Sequence, residues 1–207
     1  MSFVTVAKKV LFGINCIRTI PVYLAYKGSR QRKEIKTDLD RWREVTSDRV
    51  NPEKNDLFLM NRLLMTQEPF RNLIQMRLKK PPFTIKSIIH YGIARILWKP
   101  LNSLYISTYE IGGGLFIQHG FSTVIDAERI GENCWINQQV TIGYSGTEHP
   151  IIEDGCYIHA GAKVLGGITM HKNSTAGANA VVVKDVPENA VVGGVPAKVI
   201  KMKDNIM

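Results

Sequence analysis

A chain of 207 residues with 44% hydrophobic and 22% charged side chains is long enough for one large core or two small ones, and too apolar for a disordered polymer. Its net charge of +9 is uneven: residues 1–100 carry 20 basic and 8 acidic side chains, whereas residues 101–207 carry 7 and 10. The three cysteines, Cys16, Cys134 and Cys156, have no zinc-site or redox-pair spacing, and no apolar stretch is long enough to span a bilayer.

Phe3–Tyr26 is apolar, interrupted by Lys8, Lys9 and Arg18, with Pro21 expected to kink or end a helix. It lacks a clean apolar core followed by a cleavage site, so no secretory signal is expected and the expected location is cytoplasmic. A basic cluster follows at Lys27, Arg30, Arg32, Lys33 and Lys36. An apolar segment beside such a cluster suits contact of residues 1–36 with an anionic membrane, at the inner face of the plasma membrane; packing on the domain or on a neighbouring subunit is the alternative. Asp38–Val50 reads as a helix, and Asn55–Met65 as a second with Asn55 as its cap. Phe70–Leu78 and Ile85–Trp98 follow, separated by Pro81–Pro82 and closed by Pro100. No catalytic spacing occurs here. Residues 1–103 are read as an α-helical domain for oligomerisation, acceptor binding or membrane placement.

Glycine marks the change of architecture: three of the 17 lie before residue 101. From Ile111 the sequence falls into sixes, beginning at Ile111, Ile117, Ile130, Ile136 and Ile142, with one added residue in the stretch through Asp126. After a loop the period resumes at Ile152, Ile158, Val164, Met170, Ala176 and Val182. A small residue stands four after the aliphatic one at Cys134, Cys156, Ala162, Ser174 and Ala180. Each six is a short strand and a corner, and three sixes make a triangular coil with the aliphatic residues stacked inside. Residues 104–207 are therefore expected to be mainly β, a parallel β-helix.

The repeat and the ending Gly193-Gly-Val-Pro-Ala-Lys-Val-Ile resemble the hexapeptide-repeat left-handed β-helix acyltransferases. Within them the chain looks most like serine O-acetyltransferases and their relatives in surface-polysaccharide gene clusters, and the basic helices ahead of Gly-Gly-Gly-Leu-Phe-Ile-Gln-His-Gly make it most similar to the polysaccharide-cluster O-acetyltransferases. The resemblance implies a left-handed coil, a homotrimer and acetyl-CoA as co-substrate, with no metal. His119, in Phe-Ile-Gln-His-Gly, matches the family's general base, which takes the proton of an acceptor hydroxyl as it attacks the thioester. His149 matches a second active-site histidine, acting as a donor to the oxyanion or as the base. Counting three faces per coil puts Ile117, Ile136, Ile158 and Ala176 on one face, so His119, Gln138, Ala160 and Ala178 form a column beside which pantetheine can run. Gly143, Lys184 and Lys198 complete the coenzyme A set implied by the family.

Departures from the family guide the acceptor. The serine enzymes carry a carboxylate fifteen residues before the base, where this chain has Leu104; Glu110 and Asp126 are the nearest replacements. They also carry Asp and Arg immediately before the two histidines, where Gln118 and Glu148 stand here. With Gln118, Gln138 and Glu148 as substrate-binding residues, the expected acceptor is an uncharged saccharide hydroxyl of a capsule, O-antigen or exopolysaccharide unit. Serine O-acetylation is the alternative enzyme, and a non-catalytic scaffold the alternative of another class. A zinc enzyme built from His119, His149 and His159 has the wrong spacing, and no aromatic-and-basic motif points to nucleic acid.

Overall fold

The computed structural model describes residues 3–46, 55–80 and 84–203. Two compact units, Met1–Pro100 and Leu101–Met207, are taken in turn.

The first unit is helical: α1 (Phe3–Lys27), α2 (Arg32–Thr46), α3 (Asp56–Thr66), α4 (Glu68–Lys79) and α5 (Ile85–Leu97). Asn55 caps α3 as expected, its side chain accepting from the Leu57 amide at 2.8 Å. Residues 47–50 of the expected Asp38–Val50 helix and the Pro81–Pro82 break lie outside the described residues. Two expectations fail: α2 begins at Arg32, six residues before the expected Asp38, and α1 continues through Pro21. Pro21 lies on the outer stripe of α1, between the exposed Ile17 and Leu24, so the Ile17 carbonyl it leaves unpaired can be solvated.

The core of this unit lies where α2, α3 and α4 meet, with Leu39, Trp42, Leu63, Phe70 and Leu73 fully buried and Trp42 edge-on to Phe70 at 5.2 Å. A buried ion pair crosses it: Arg77 donates from Nε and Nη2 to the two carboxylate oxygens of Asp38 at 2.9 and 3.1 Å. Asn61 ties α3 to α1, accepting from Thr19 Oγ1 at 2.9 Å and donating to the Phe12 carbonyl at 3.2 Å. Among the described residues no helix is long and apolar enough to cross a membrane.

The second unit is a parallel β-helix, the mainly β fold expected. Its strands run β1 (Leu104–Ile106), β2 (Glu110–Ile111), β3 (Phe116–Ile117), β4 (Thr123–Ile125), β5 (Arg129–Ile130), β6 (Trp135–Ile136), β7 (Thr141–Gly143), β8 (Ile151–Ile152), β9 (Tyr157–Ile158), β10 (Lys163–Leu165), β11 (Thr169–Met170), β12 (Thr175–Ala176), β13 (Val181–Val182), β14 (Ala190–Gly193) and β15 (Lys198–Met202). Strands β1, β4, β7, β10 and β13 stack as a first face, β2, β5, β8 and β11 as a second, and β3, β6, β9, β12 and β14 as a third. β15 turns back antiparallel onto β14 and finishes the third face.

The register follows the sixes. Ile117, Ile136, Ile158 and Ala176 are aligned in consecutive coils, and Ile136, Ile158 and Ala176 are wholly buried. On the second and third faces the fourth position of the six is left-handed: Asn133, Gln139, Gly155, Gly161, Asn173 and Asn179 all have positive φ, whereas Ser145, Gly167 and Asp185 at the fourth position of first-face sixes do not. Only Gly and, less readily, Asn are at ease there, which explains their recurrence. The corners also interlock. A Cβ added to Gly161 would lie 2.0 Å from Asn179 Oδ1, and one added to Gly155 2.3 Å from Asn173 Oδ1.

Candidate functional site

The regular coil makes one corner conspicuous. Ile117 and Ile125 point inward on adjacent faces, yet they are eight residues apart rather than six. The surplus lies at His119 and Gly120, both left-handed with φ of 62° and 66°. The Gly120 amide donates to the Gln118 carbonyl at 2.7 Å, so His119 is the central residue of a γ-turn of the rare positive-φ kind. A non-glycine residue held there costs about 1–3 kcal/mol, and such strain gathers at functional sites. The turn thrusts His119 outward; it is exposed, and among the described residues no side chain holds its ring.

Along this corner between the third and first faces Gln138, Ala160 and Ala178 are stacked, each two residues past an aligned inward residue. The residue in register above Gln138 is Phe121, whose carbonyl accepts from the Gln139 amide at 2.9 Å; His119, expected to head the column, belongs instead to the two-residue surplus beside it. The Gln138 and Ala160 carbonyls are occupied by the Gly161 and Asn179 amides at 3.1 and 2.9 Å. The Gln138 side chain differs: its Oε1 is buried with no hydrogen-bond partner, an acceptor that awaits a donor. At the end of the column the Gly193–Ala197 turn is stitched to β13 by Val181 N–H to Gly194 O at 3.0 Å and Ala197 N–H to Val181 O at 2.8 Å. That brings the exposed Lys198 to the same corner.

The other expected residues stand elsewhere. His149 lies on the loop between β7 and β8, at the corner between the first and second faces. Gly143 and Lys184, which follow inward residues of the first face, share that corner. The loop is closed by Ser145 and Glu148, which exchange backbone hydrogen bonds at 3.2 and 3.4 Å. The His149 ring lies 5.2 Å from that of Tyr144, and its Nδ1 is 3.5 Å from Asp126 Oδ1. Asp126, considered as a partner for His119, therefore serves His149 instead. Glu110 is on the second face, exposed. One chain thus does not bring His119 and His149 together at a single corner.

Gln118 and Glu148, on which the saccharide reading rested, occupy unremarkable surroundings. Gln118 Oε1 accepts from the Trp135 indole at 3.3 Å, within an outward ladder in which Trp135 lies 4.5 Å from Phe116 and 4.9 Å from Tyr157 between ring centres. Sequence reading overlooked this ladder, although the three residues immediately precede the inward isoleucines. Glu148 is exposed and lies over Gly167, where an added Cβ would meet its carboxylate at 2.4 Å. The repulsion assigned to it required burial; in solvent the charge is screened and weak.

The cysteines stay out of any reaction. Burial, with lesser contributions led by the neighbouring Cys156, pushes the Cys134 thiol up to about 12. Burial likewise raises Cys156, so both remain protonated and poor nucleophiles at neutral pH. Among the described residues no cluster of His, Cys, Asp or Glu is placed to hold a metal ion.

No family model matches the chain. It is 47% identical over 97 residues to the serine acetyltransferase of Staphylococcus xylosus, a match covering 44% of this chain and 45% of that protein. The chain therefore spans less than half the length of the curated relative it matches. Among solved structures, serine acetyltransferase of Neisseria gonorrhoeae in complex with serine superposes with a TM-score of 0.61 at 27% identity, covering 87% of this chain and 73% of that one. A serine acetyltransferase in complex with CoA superposes at 0.59 and 24% identity, covering 86% and 73%. The fold is that of these left-handed β-helix acyltransferases. The comparisons overturn the saccharide acceptor and the likeness to surface-polysaccharide enzymes: these relatives are serine acetyltransferases.

Proposed function

We infer that this protein transfers the acetyl group of acetyl-CoA to the hydroxyl of L-serine. The observation that carries the reading is His119, strained outward on an enlarged corner whose lower coils carry Gln138, Ala160 and Ala178, in a coil 47% identical over 97 residues to a serine acetyltransferase. The ring of His119 takes the serine hydroxyl proton as the oxygen attacks the thioester carbon. The tetrahedral intermediate collapses with loss of the C–S bond, and the imidazolium returns the proton to the departing thiolate, giving O-acetylserine and free CoA. With Cys134 and Cys156 buried and protonated, attack is direct and no acyl-enzyme forms. Gln138 Oε1 is placed to accept an N–H from pantetheine or from the serine ammonium, and Ala160 and Ala178 leave room for an extended chain. Lys198, and Lys184 from the other corner, supply charge for the phosphates.

The division of these residues between two corners implies a second copy. A neighbour that sets its His149 corner against the His119 corner completes the site, and three copies around one axis close the ring. Asp126 then orients His149 for donation to the oxyanion.

Thiol release from acetyl-CoA tests the acceptor: turnover is expected with L-serine, and a folded protein inactive on L-serine would sink the proposal. Mixing subunits tests the shared site. His119→Ala and His149→Ala proteins, each nearly inactive, should regain about a quarter of wild-type turnover when unfolded and refolded together in equal amounts, because about one interface in four then holds both histidines. A mixture no more active than its components places both histidines in one subunit's site.

A further inference from the structure

The helical unit carries a surface that acetyl transfer does not use. α1 and α5 run antiparallel, since Arg18 donates to the Leu97 carbonyl and stacks on Trp98, whereas Gly28 lies against Lys86. α1 packs on α3, and α5 on α4, so both helices turn their outer sides away from the core. Those outer sides are apolar. On α1 they present Val10, Ile14, Ile17 at 70% exposure and Leu24; on α5, Ile85 at 80%, Ile88, Ile89 and Ile96 at 83%. The spacing on each helix is that of one stripe, doubling the usual amphipathic pattern with an apolar face on the outside.

The charges around this surface have one sign. Residues 1–33 contain seven basic side chains and no acidic one, and between Glu68 and Glu110 there is again no carboxylate, while Lys79, Lys80, Lys86, Arg95 and Lys99 fall in that stretch. At the end of the stripe where α1 meets the start of α5, Arg30, Lys80, Lys86 and His90 line a cavity together with Thr84 and Ser87. Two copies joined through this face would bring like charges together. An anionic bilayer offers both complements, acyl chains for the isoleucines and phosphates for the cations.

We propose that the α1–α5 face is a membrane-docking surface that lies in the plane of an anionic bilayer, with the cavity at Lys86 and Arg30 receiving a lipid phosphate. The proposal is independent of the acetyl acceptor, because it is read without acetyl-CoA. The full-length protein is sedimented with vesicles of phosphatidylcholine alone and of phosphatidylcholine mixed with phosphatidylglycerol. Binding to the anionic vesicles should be at least about tenfold tighter than to the neutral ones, and should fall as salt is raised. The Ile17→Glu/Ile96→Glu protein should lose at least about tenfold in vesicle binding, from lost insertion and added repulsion, with its helical circular dichroism and its turnover unchanged; Lys86→Glu should weaken anionic binding selectively. Equal binding to both vesicle types, no binding to either, or a double variant that sediments as well as wild type overturns the proposal. So does a double variant that keeps vesicle binding but becomes a smaller oligomer, which would make the face a contact between copies.

Discussion

Replacing His119 with alanine is expected to lower the rate of serine acetylation by about 10²–10⁴-fold, the usual loss when a general base is removed. The substitution touches little else. The ring is exposed and makes no hydrogen bond or ion pair with a described side chain, so the thermal midpoint should scarcely move. The backbone adds a second effect, because residue 119 has φ of 62° and alanine tolerates the left-handed region poorly. His119→Asn separates the two. Asparagine accepts positive φ and cannot take a proton from serine, so it should preserve the turn and lose as much activity as alanine does. The fall should appear in kcat, since the proton transfer belongs to the transition state. If the asparagine protein keeps more than about a tenth of wild-type kcat, His119 is there for the turn and the base is another group.

The architecture was legible because its two periods are physical necessities. An aliphatic residue every sixth position has to stack inside, so the alignment of Ile117, Ile136, Ile158 and Ala176 follows from counting, and the structure pairs them in that order. The asparagines and glycines of the fourth position carried a second signal, a left-handed corner, that a reading in terms of side-chain size passes over. The helices were legible from caps and prolines except at the start of α2, which runs through Arg32, Lys33 and Lys36 where a run of charge hides the boundary, and at Pro21, where exposure to solvent decides whether a broken hydrogen bond matters.

The surroundings of the site were less legible. A one-dimensional repeat places residues on corners, and counting put Gln138, Ala160 and Ala178 on one corner, but it carries no record of the two-residue bulge at His119 or of which way a loop folds. Asp126 is nearer in sequence to His119 than to His149, yet it directly follows β4 on the first face and so meets the loop from the following coil. The inference from Gln118 and Glu148 to an uncharged acceptor erred for a related reason. It treated two side chains as facing the substrate, whereas one accepts from Trp135 and the other lies on Gly167 in solvent. Charge at a matched position has meaning only with burial and direction, and neither is written in the spacing.

The second large effect belongs to the helical unit. Asp38→Ala is expected to destabilise it by about 3–5 kcal/mol, because the Arg77 guanidinium would be left fully buried without its carboxylate. Against a typical stability of about 5–15 kcal/mol this is a large share, and it would appear as a marked drop in the urea midpoint of the helical far-ultraviolet signal. Arg77→Met leaves a buried carboxylate and should cost a similar amount. The instructive protein is Asp38→Leu/Arg77→Met, which removes both charges and fills their volume with apolar groups between α2 and α4. Taking two ions out of water costs nearly what their attraction returns, so this double variant should lie close to wild type or above it, well clear of either single one. Trp42 and Phe70 pack across the same pair of helices, so apolar neighbours for the replacements are at hand. If the double variant instead falls by the sum of the single losses, the pair contributes independent contacts rather than mutual neutralisation, and the core between α2 and α4 depends on each side chain for its shape.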